Sequence, residues 1–222
     1  MSNTHLTPRR LGRWFLINLF IAAVVCAVTG RYQDPWLWTY VATVAAISLY
    51  PTLFLDDDLA RERFHPPEPG ADRLPLRVVR LLALCHIVFS LLDVRWQFSQ
   101  VPDGVRLAGL AGMAISVALV FRAMMVNRFF SAVIRIQKDR GHHVIDQGVY
   151  SVIRHPGYAG MIPSMPFSGL ALGSWIGFAI GLGYAVLMLR RVLFEDAYLR
   201  SHLEGYREYA TRVRYRLIPG VW

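Results

Sequence analysis

The chain has 222 residues, 55% of them hydrophobic, with a mean hydropathy of +0.35, more apolar surface than a single soluble core consumes. The net charge of +9 is carried almost wholly by arginine, Lys138 being the only lysine, and it is distributed as a topology signal rather than as a nucleic-acid surface. Cys26 and Cys85 lie inside apolar runs and are expected to be small packed side chains, with neither a disulfide nor a metal implied.

The N-terminal tail, residues 1–13, is polar and carries Arg9, Arg10 and Arg13. Apolar runs then predict spans over Trp14–Thr29 and Trp36–Leu55, and the first lacks the small-residue exit of a cleaved signal peptide. The loop Asp56–Pro75 mixes both charge signs with Pro66, Pro67 and Pro69, which reads first as a solvated connector and second as a cover over the polar loop described below. Further spans are predicted over Val78–Phe98 and Val105–Val126. His86, alone in the third span, is expected to bond a neighbouring helix, and Asp93 and Arg95 read as structural residues near its end. Arg122 and Arg128 are balanced between reaching the head groups and lining a pocket.

From Gly157 to Leu172 runs an apolar segment of about 24 Å if helical, short of a hydrocarbon core of about 30 Å. Pro163 and Pro166 interrupt it, Gly173-Ser174 reads as a tight turn, and Trp175–Leu193 completes a helical hairpin. Gly173, Gly177 and Gly181 recur every four residues and predict close helix packing. In the tail, Phe194–Trp222, the spacing of Leu199, Leu203, Tyr206, Ala210 and Val213 predicts one amphipathic helix lying in the membrane interface. The expected fold is therefore all-α, a polytopic integral membrane protein of about six spans with a cytosolic loop and a tail helix. With the N-terminus inside, 21 of the 24 basic residues fall on the cytoplasmic side, leaving only Arg31, Arg95 and Arg106 outside.

The polar stretch Arg135–Gly160 holds three of the seven histidines, His142, His143 and His155. Gln137, Tyr150, Arg154 and Tyr158 add donors and acceptors, and Pro156 suits a helix start. That helix start offers free N–H groups to an anion beside His155, while His143 is expected to face solvent. Tyr150 and Tyr158 have interfacial aromatics as their competing reading, and Glu195 an ion pair with Arg190 or Arg191.

In order, Gly148-x-Tyr150, Arg154-His155-Pro156-x-Tyr158-x-Gly160, an apolar hairpin and Glu195-Asp196 resemble the isoprenylcysteine carboxyl methyltransferase family, related to the phospholipid methyltransferases. The departures are Val149 where the family has proline, and Asp196 where it has a second glutamate. The resemblance implies an S-adenosylmethionine-dependent enzyme of a bacterial type, in a bacterial inner or plasma membrane, and the arginine distribution puts both termini and the loop in the cytoplasm. The resemblance also implies cofactor contacts from Gln137, His142, Val144, Gly148, Tyr150, His155, Pro156, Tyr158 and Glu195, with Arg154, His155 and Glu195 as catalytic residues and no metal. Residues 1–126 would form a four-span membrane region and 127–222 the catalytic region.

The acceptor is expected to be lipidic or membrane-partitioned and to enter sideways from the bilayer, with Tyr206, Tyr209 and Arg216 of the tail binding its polar head group. An isoprenylcysteine carboxylate leads; a phospholipid amine, which must first lose a proton, and a small thiol are alternatives. A small transporter or channel would need charge at mid-depth, which is nearly absent. A nicotinamide-dependent membrane reductase stands as the third class.

Overall fold

The computed structural model describes residues 8–67 and 70–222 and is helical, with no strand among them. The stretch before Pro8, and the Glu68-Pro69 corner of the Asp56–Pro75 loop, lie outside the described residues. Eight α-helices follow in order: α1 Pro8–Thr29, α2 Pro35–Phe54, α3 Asp57–Phe64, α4 Arg73–Trp96, α5 Asp103–Val126, α6 Pro156–Leu172, α7 Trp175–His202 and α8 Tyr206–Arg212. Two short 3-10 turns, Lys138–Arg140 and Gly148–Ser151, punctuate the polar loop.

The helix starts follow local chemistry. Asp34 caps α2 by accepting the Trp36 N–H at 2.9 Å, with Pro35 at the first position. Asp56 caps α3 through the Asp58 N–H at 2.9 Å, and Ser174 caps α7 through the Gly177 N–H at 2.8 Å. α1 is described from Pro8, six residues before the first apolar run. Its Arg10 pairs with Asp57 and donates to the Leu55 carbonyl at 3.2 Å, tying the first helix to α3.

Four helices, α1, α2, α5 and α7, are long and apolar enough to cross a membrane. Among the described residues the other two expected spans do not meet that criterion. α4 carries Arg77, Arg80, Asp93 and Arg95, and α6 has only 17 residues, about 26 Å of helix. The chain is an all-helical polytopic membrane protein, with four such helices where about six were expected.

α6 lies between α5 and α7 and is the most tightly held helix. A Cβ at Gly160 would stand 2.4 Å from the Ser116 carbonyl oxygen of α5, and one at Gly169 would stand 2.3 Å from the Phe178 nitrogen of α7. Backbones therefore approach without side chains between them. Gly173 ends α6 in the left-handed region at φ 85° and turns the chain into α7. Gly173 thus makes the turn, while Gly177 and Gly181 do the packing. Asp93, fully buried, anchors this turn by accepting from the Ser174 hydroxyl at 2.5 Å and the Ser99 hydroxyl at 2.6 Å. His86 bonds the Gly177 carbonyl at 3.0 Å and the Ser168 hydroxyl at 3.2 Å across α6 and α7. Both are the structural residues expected, as is Arg95, which donates to the Val28 carbonyl at 2.7 Å. Cys26 and Cys85 are free.

The tail departs from expectation. α7 runs on to His202, the left-handed Gly205 breaks the chain, and α8 starts afresh at Tyr206. Leu203, Tyr206, Tyr209, Ala210 and Val213 form one cluster against Ile136 and Val144 of the polar loop. The apolar face covers protein instead of lying in lipid, because the loop offers it a matching apolar patch.

Candidate active site

Beyond α5 the backbone turns at Asn127, whose side-chain oxygen accepts the Phe129 N–H at 2.8 Å and sends the Phe129 ring inward. His142 stacks on that ring with centroids 4.5 Å apart. Gln137 is buried, donating from Nε2 to the Phe129 carbonyl at 2.7 Å and accepting from Arg140. The Gln137 N–H donates to His142 Nδ1 at 3.2 Å. Burial, followed by the charges of His143 and Arg135, pushes His142 down to about 4. The ring is thus neutral at physiological pH, and with Nδ1 accepting, its proton sits on Nε2.

A cavity of about 380 Å³ opens among this loop, α3, α4, α6, α7 and the tail. Of the residues singled out by sequence, it is lined by Gln137, His142, Val144, Tyr150, Arg154, His155, Tyr158, Glu195, Tyr206 and Tyr209. Gly148, Pro156 and Arg216 lie behind the wall. Gly148 takes a left-handed turn at φ 57° against Val126, Pro156 is the buried first residue of α6, and Arg216 reaches Asp196 from the far side. His143 is exposed, edge-on to Phe129, at the cavity rim.

Asp196 organises one wall. Its Oδ1 accepts from Arg154 Nε at 2.8 Å and the Tyr206 hydroxyl at 3.0 Å, and lies 3.2 Å from His155 Nε2. Its Oδ2 accepts from Arg200 at 3.1 Å and Arg216 at 3.2 Å. Arg154 also donates to the carbonyls of Val213 and Arg214, at 2.8 and 2.7 Å. The tail backbone returns the contact: the Arg154 and His155 N–H groups donate to the Tyr215 and Arg216 carbonyls, each at 2.9 Å. The His155 imidazole therefore already has an anion, supplied from within the chain.

Glu195 is one residue earlier, about 100° around α7, and so faces the cavity instead of the tail. Its Oε2 accepts the Tyr158 hydroxyl at 2.6 Å. Tyr150 and Tyr158 are buried, not interfacial, and no ion pair links Glu195 to Arg190 or Arg191 among the described residues. Tyr209 donates to the Tyr150 carbonyl at 2.7 Å. Burial raises the phenol pKa of Tyr150, Tyr206 and Tyr209, so all three are neutral hydroxyls.

The opposite wall came from residues the sequence did not single out. α3 is a cover rather than a solvated connector: Glu62, buried, binds Arg135 through two bonds at 2.8 and 3.2 Å. Arg191 Nη2 lies 2.9 Å from Asp72 Oδ2 and donates to the Ala132 carbonyl at 2.6 Å. Arg63 donates to the Ser131 carbonyl at 3.3 Å and lies over the Phe130 ring. The partners are separated by 59 to 119 residues, and no periodicity joins them. Arg122 and Arg128 are exposed and line no part of the cavity.

Residues 107–201, from the first turns of α5 nearly to the end of α7, match the model of the isoprenylcysteine carboxyl methyltransferase (ICMT) family. Protein-S-isoprenylcysteine O-methyltransferase B of Arabidopsis thaliana is 31% identical over 92 residues, 39% of this chain and 45% of that protein. A probable protein-S-isoprenylcysteine O-methyltransferase of Oryza sativa subsp. japonica is 33% identical over 95 residues, 39% of this chain and 47% of that protein. The chain thus spans a little under half the length of these relatives, which are plant proteins. The stretch similar to the isoprenylcysteine carboxyl methyltransferase family takes in most of α5, all of α6 and nearly all of α7, and with them much of the cavity lining.

Proposed function

We propose that the protein methylates the carboxylate of an isoprenylcysteine-like, membrane-associated acceptor, with S-adenosylmethionine as donor. One observation supports this most: one cavity is lined both by polar groups, Gln137, His142, Tyr150 and Glu195, and by apolar ones, Val79, Ala83, Met161, Met165 and Met188. Its volume of about 380 Å³ falls within the range of small-molecule sites. The donor set suits the cofactor. Glu195 supplies negative charge for an ammonium or ribose hydroxyl, His142 Nε2–H a neutral donor, and the stacked Phe129–His142 pair an aromatic surface. S-adenosylmethionine would supply a sulfonium methyl group for in-line displacement.

The chain's own residues bind and align the reactants, which is the larger part of such a reaction. A carboxylate needs no base: the C–O bond forms as the S–CH₃ bond breaks, and one negative and one positive charge become a neutral ester and a neutral thioether. The catalytic roles of Arg154 and His155 are then positional, holding the tail and α6 start against the cavity through Asp196. Residues 127–222 supply most of the wall, and the region 1–126 sets the site at the bilayer and adds the α3 cover. We place the loop and the tail on the cytoplasmic side and read Tyr206 and Tyr209 as cavity wall.

Purified protein in detergent, given radiolabelled S-adenosylmethionine, should methylate a farnesylcysteine in preference to phosphatidylethanolamine or an alkyl thiol. Faster labelling of the amine or the thiol refutes the carboxylate reading, and no cofactor binding at all refutes the enzyme.

A further inference from the structure

The cavity's cations are unequally satisfied. Arg135 binds Glu62, Arg154 binds Asp196 and Arg191 binds Asp72. Arg63 has no carboxylate within ion-pair distance among the described residues; its contacts are the Ser131 carbonyl and the Phe130 ring. Arg191 Nε, on the same wall, is buried and has no hydrogen-bond partner among them. The two guanidinium groups donate to the carbonyls of consecutive residues, Ser131 and Ala132, and line one cavity; burial first, and the Arg191 charge second, lower the Arg63 pKa. Arg80 of α4 lines the same wall and adds to the repulsion.

Two like charges facing one cavity, with a buried donor unspent, fit an anion that arrives with the ligand. The apolar side chains beside them say what that ligand carries. Val79, Tyr184 and Met188 form a buried cluster, with Met161 and Met165 packed against it, next to Tyr158. An anionic head with an apolar chain fits both features. A cationic head, such as a protonated amine, would meet the arginines unfavourably.

We propose that Arg63, contributed by α3 outside the family-matched segment, is the specificity-determining residue that binds the acceptor's carboxylate together with Arg191. The inference rests on the proposed carboxyl methylation and adds the group that selects for it. Arg63 also explains the α3 cover: Glu62, its neighbour, fastens the helix to Arg135 and so fixes where the guanidinium stands.

The carboxylate loses its charge in the transition state, so an arginine holding it stabilises the ground state at least as much. Removing Arg63 should raise KM and leave kcat unreduced. The test uses the full chain in nanodiscs, with N-acetyl-S-farnesylcysteine as acceptor and its carboxamide as competitive inhibitor. Arg63→Gln should raise the acceptor KM at least tenfold with S-adenosylmethionine affinity within twofold of wild type, and Arg63→Lys should recover part of the loss. Wild type should bind the carboxylate form more than tenfold tighter than the carboxamide, and Arg63→Gln should lose that discrimination. Unchanged KM and unchanged discrimination in a variant that still binds the cofactor overturn the role of Arg63 while leaving carboxyl methylation standing. A wild type that methylates the amine lipid instead overturns both.

Discussion

Two arginine clusters border the same cavity and differ in how their charge is met. Around Asp196, one buried carboxylate gathers Arg154, Arg200 and Arg216, with His155 and Tyr206 completing its shell. Around Arg63 and Arg191, the carboxylate of Asp72 serves one guanidinium, and among the described residues the other makes a carbonyl contact and a ring contact and no ion pair. The first cluster is closed, and its work is to hold the tail onto the loop. The second is open, and its positive charge is stored for something that enters. Counting basic residues cannot separate the two; only their partners can.

The largest test breaks the closed cluster. Asp196→Asn leaves Arg154 buried without its anion and should destabilise the protein by about 3–5 kcal/mol, seen as a lowered unfolding midpoint in detergent. A midpoint within a degree of wild type would mean the network is decorative. Next is Glu195→Gln, which keeps the fold but removes the charge facing the cavity. Cofactor affinity should fall by more than tenfold, about 1.4 kcal/mol, in calorimetry. Arg200→Ala removes a half-exposed i,i+4 partner of Asp196 and should cost about 0.3–0.5 kcal/mol, because Arg154 and Arg216 still hold the carboxylate. Smallest is the stability change of Arg63→Gln, close to zero, since a weak carbonyl contact is lost as like-charge repulsion is relieved. Chemical denaturation comparing Arg63→Gln with Asp196→Asn would sharpen the contrast; equal losses would erase it.

What was legible in the sequence is the part encoded locally. Runs of apolar residues gave the long helices, Pro156 and Gly173 gave the start and turn of the hairpin, and the Arg135–Gly160 stretch gave most of one cavity wall. What was not legible depends on partners far apart in the chain. The Asp56–Pro75 loop reads as solvated because its charges alternate, yet Glu62 is buried by Arg135, 73 residues away. The tail reads as one interfacial helix because its spacing continues through Gly205, where the backbone takes a left-handed turn instead. Asp196 was seen as half of an acidic pair, but the 100° step between neighbours on a helix sends Glu195 and Asp196 to different tasks.

The hairpin has unequal arms, about 26 Å for α6 and about 42 Å for α7. A short helix standing alone in lipid would pull the two leaflets together or tilt its surroundings. α6 does not stand alone, because the longer α5 and α7 flank it and much of its surface is buried against them. The shortfall in length is therefore met by protein, and no residue of α6 is exposed; the cavity opens beside the helix's first turn. His155, Gly157 and Tyr158, at the start of α6, form part of that cavity's wall. Under the proposed function, that is where an acceptor anchored in the leaflet would place its head group without being lifted out of the membrane.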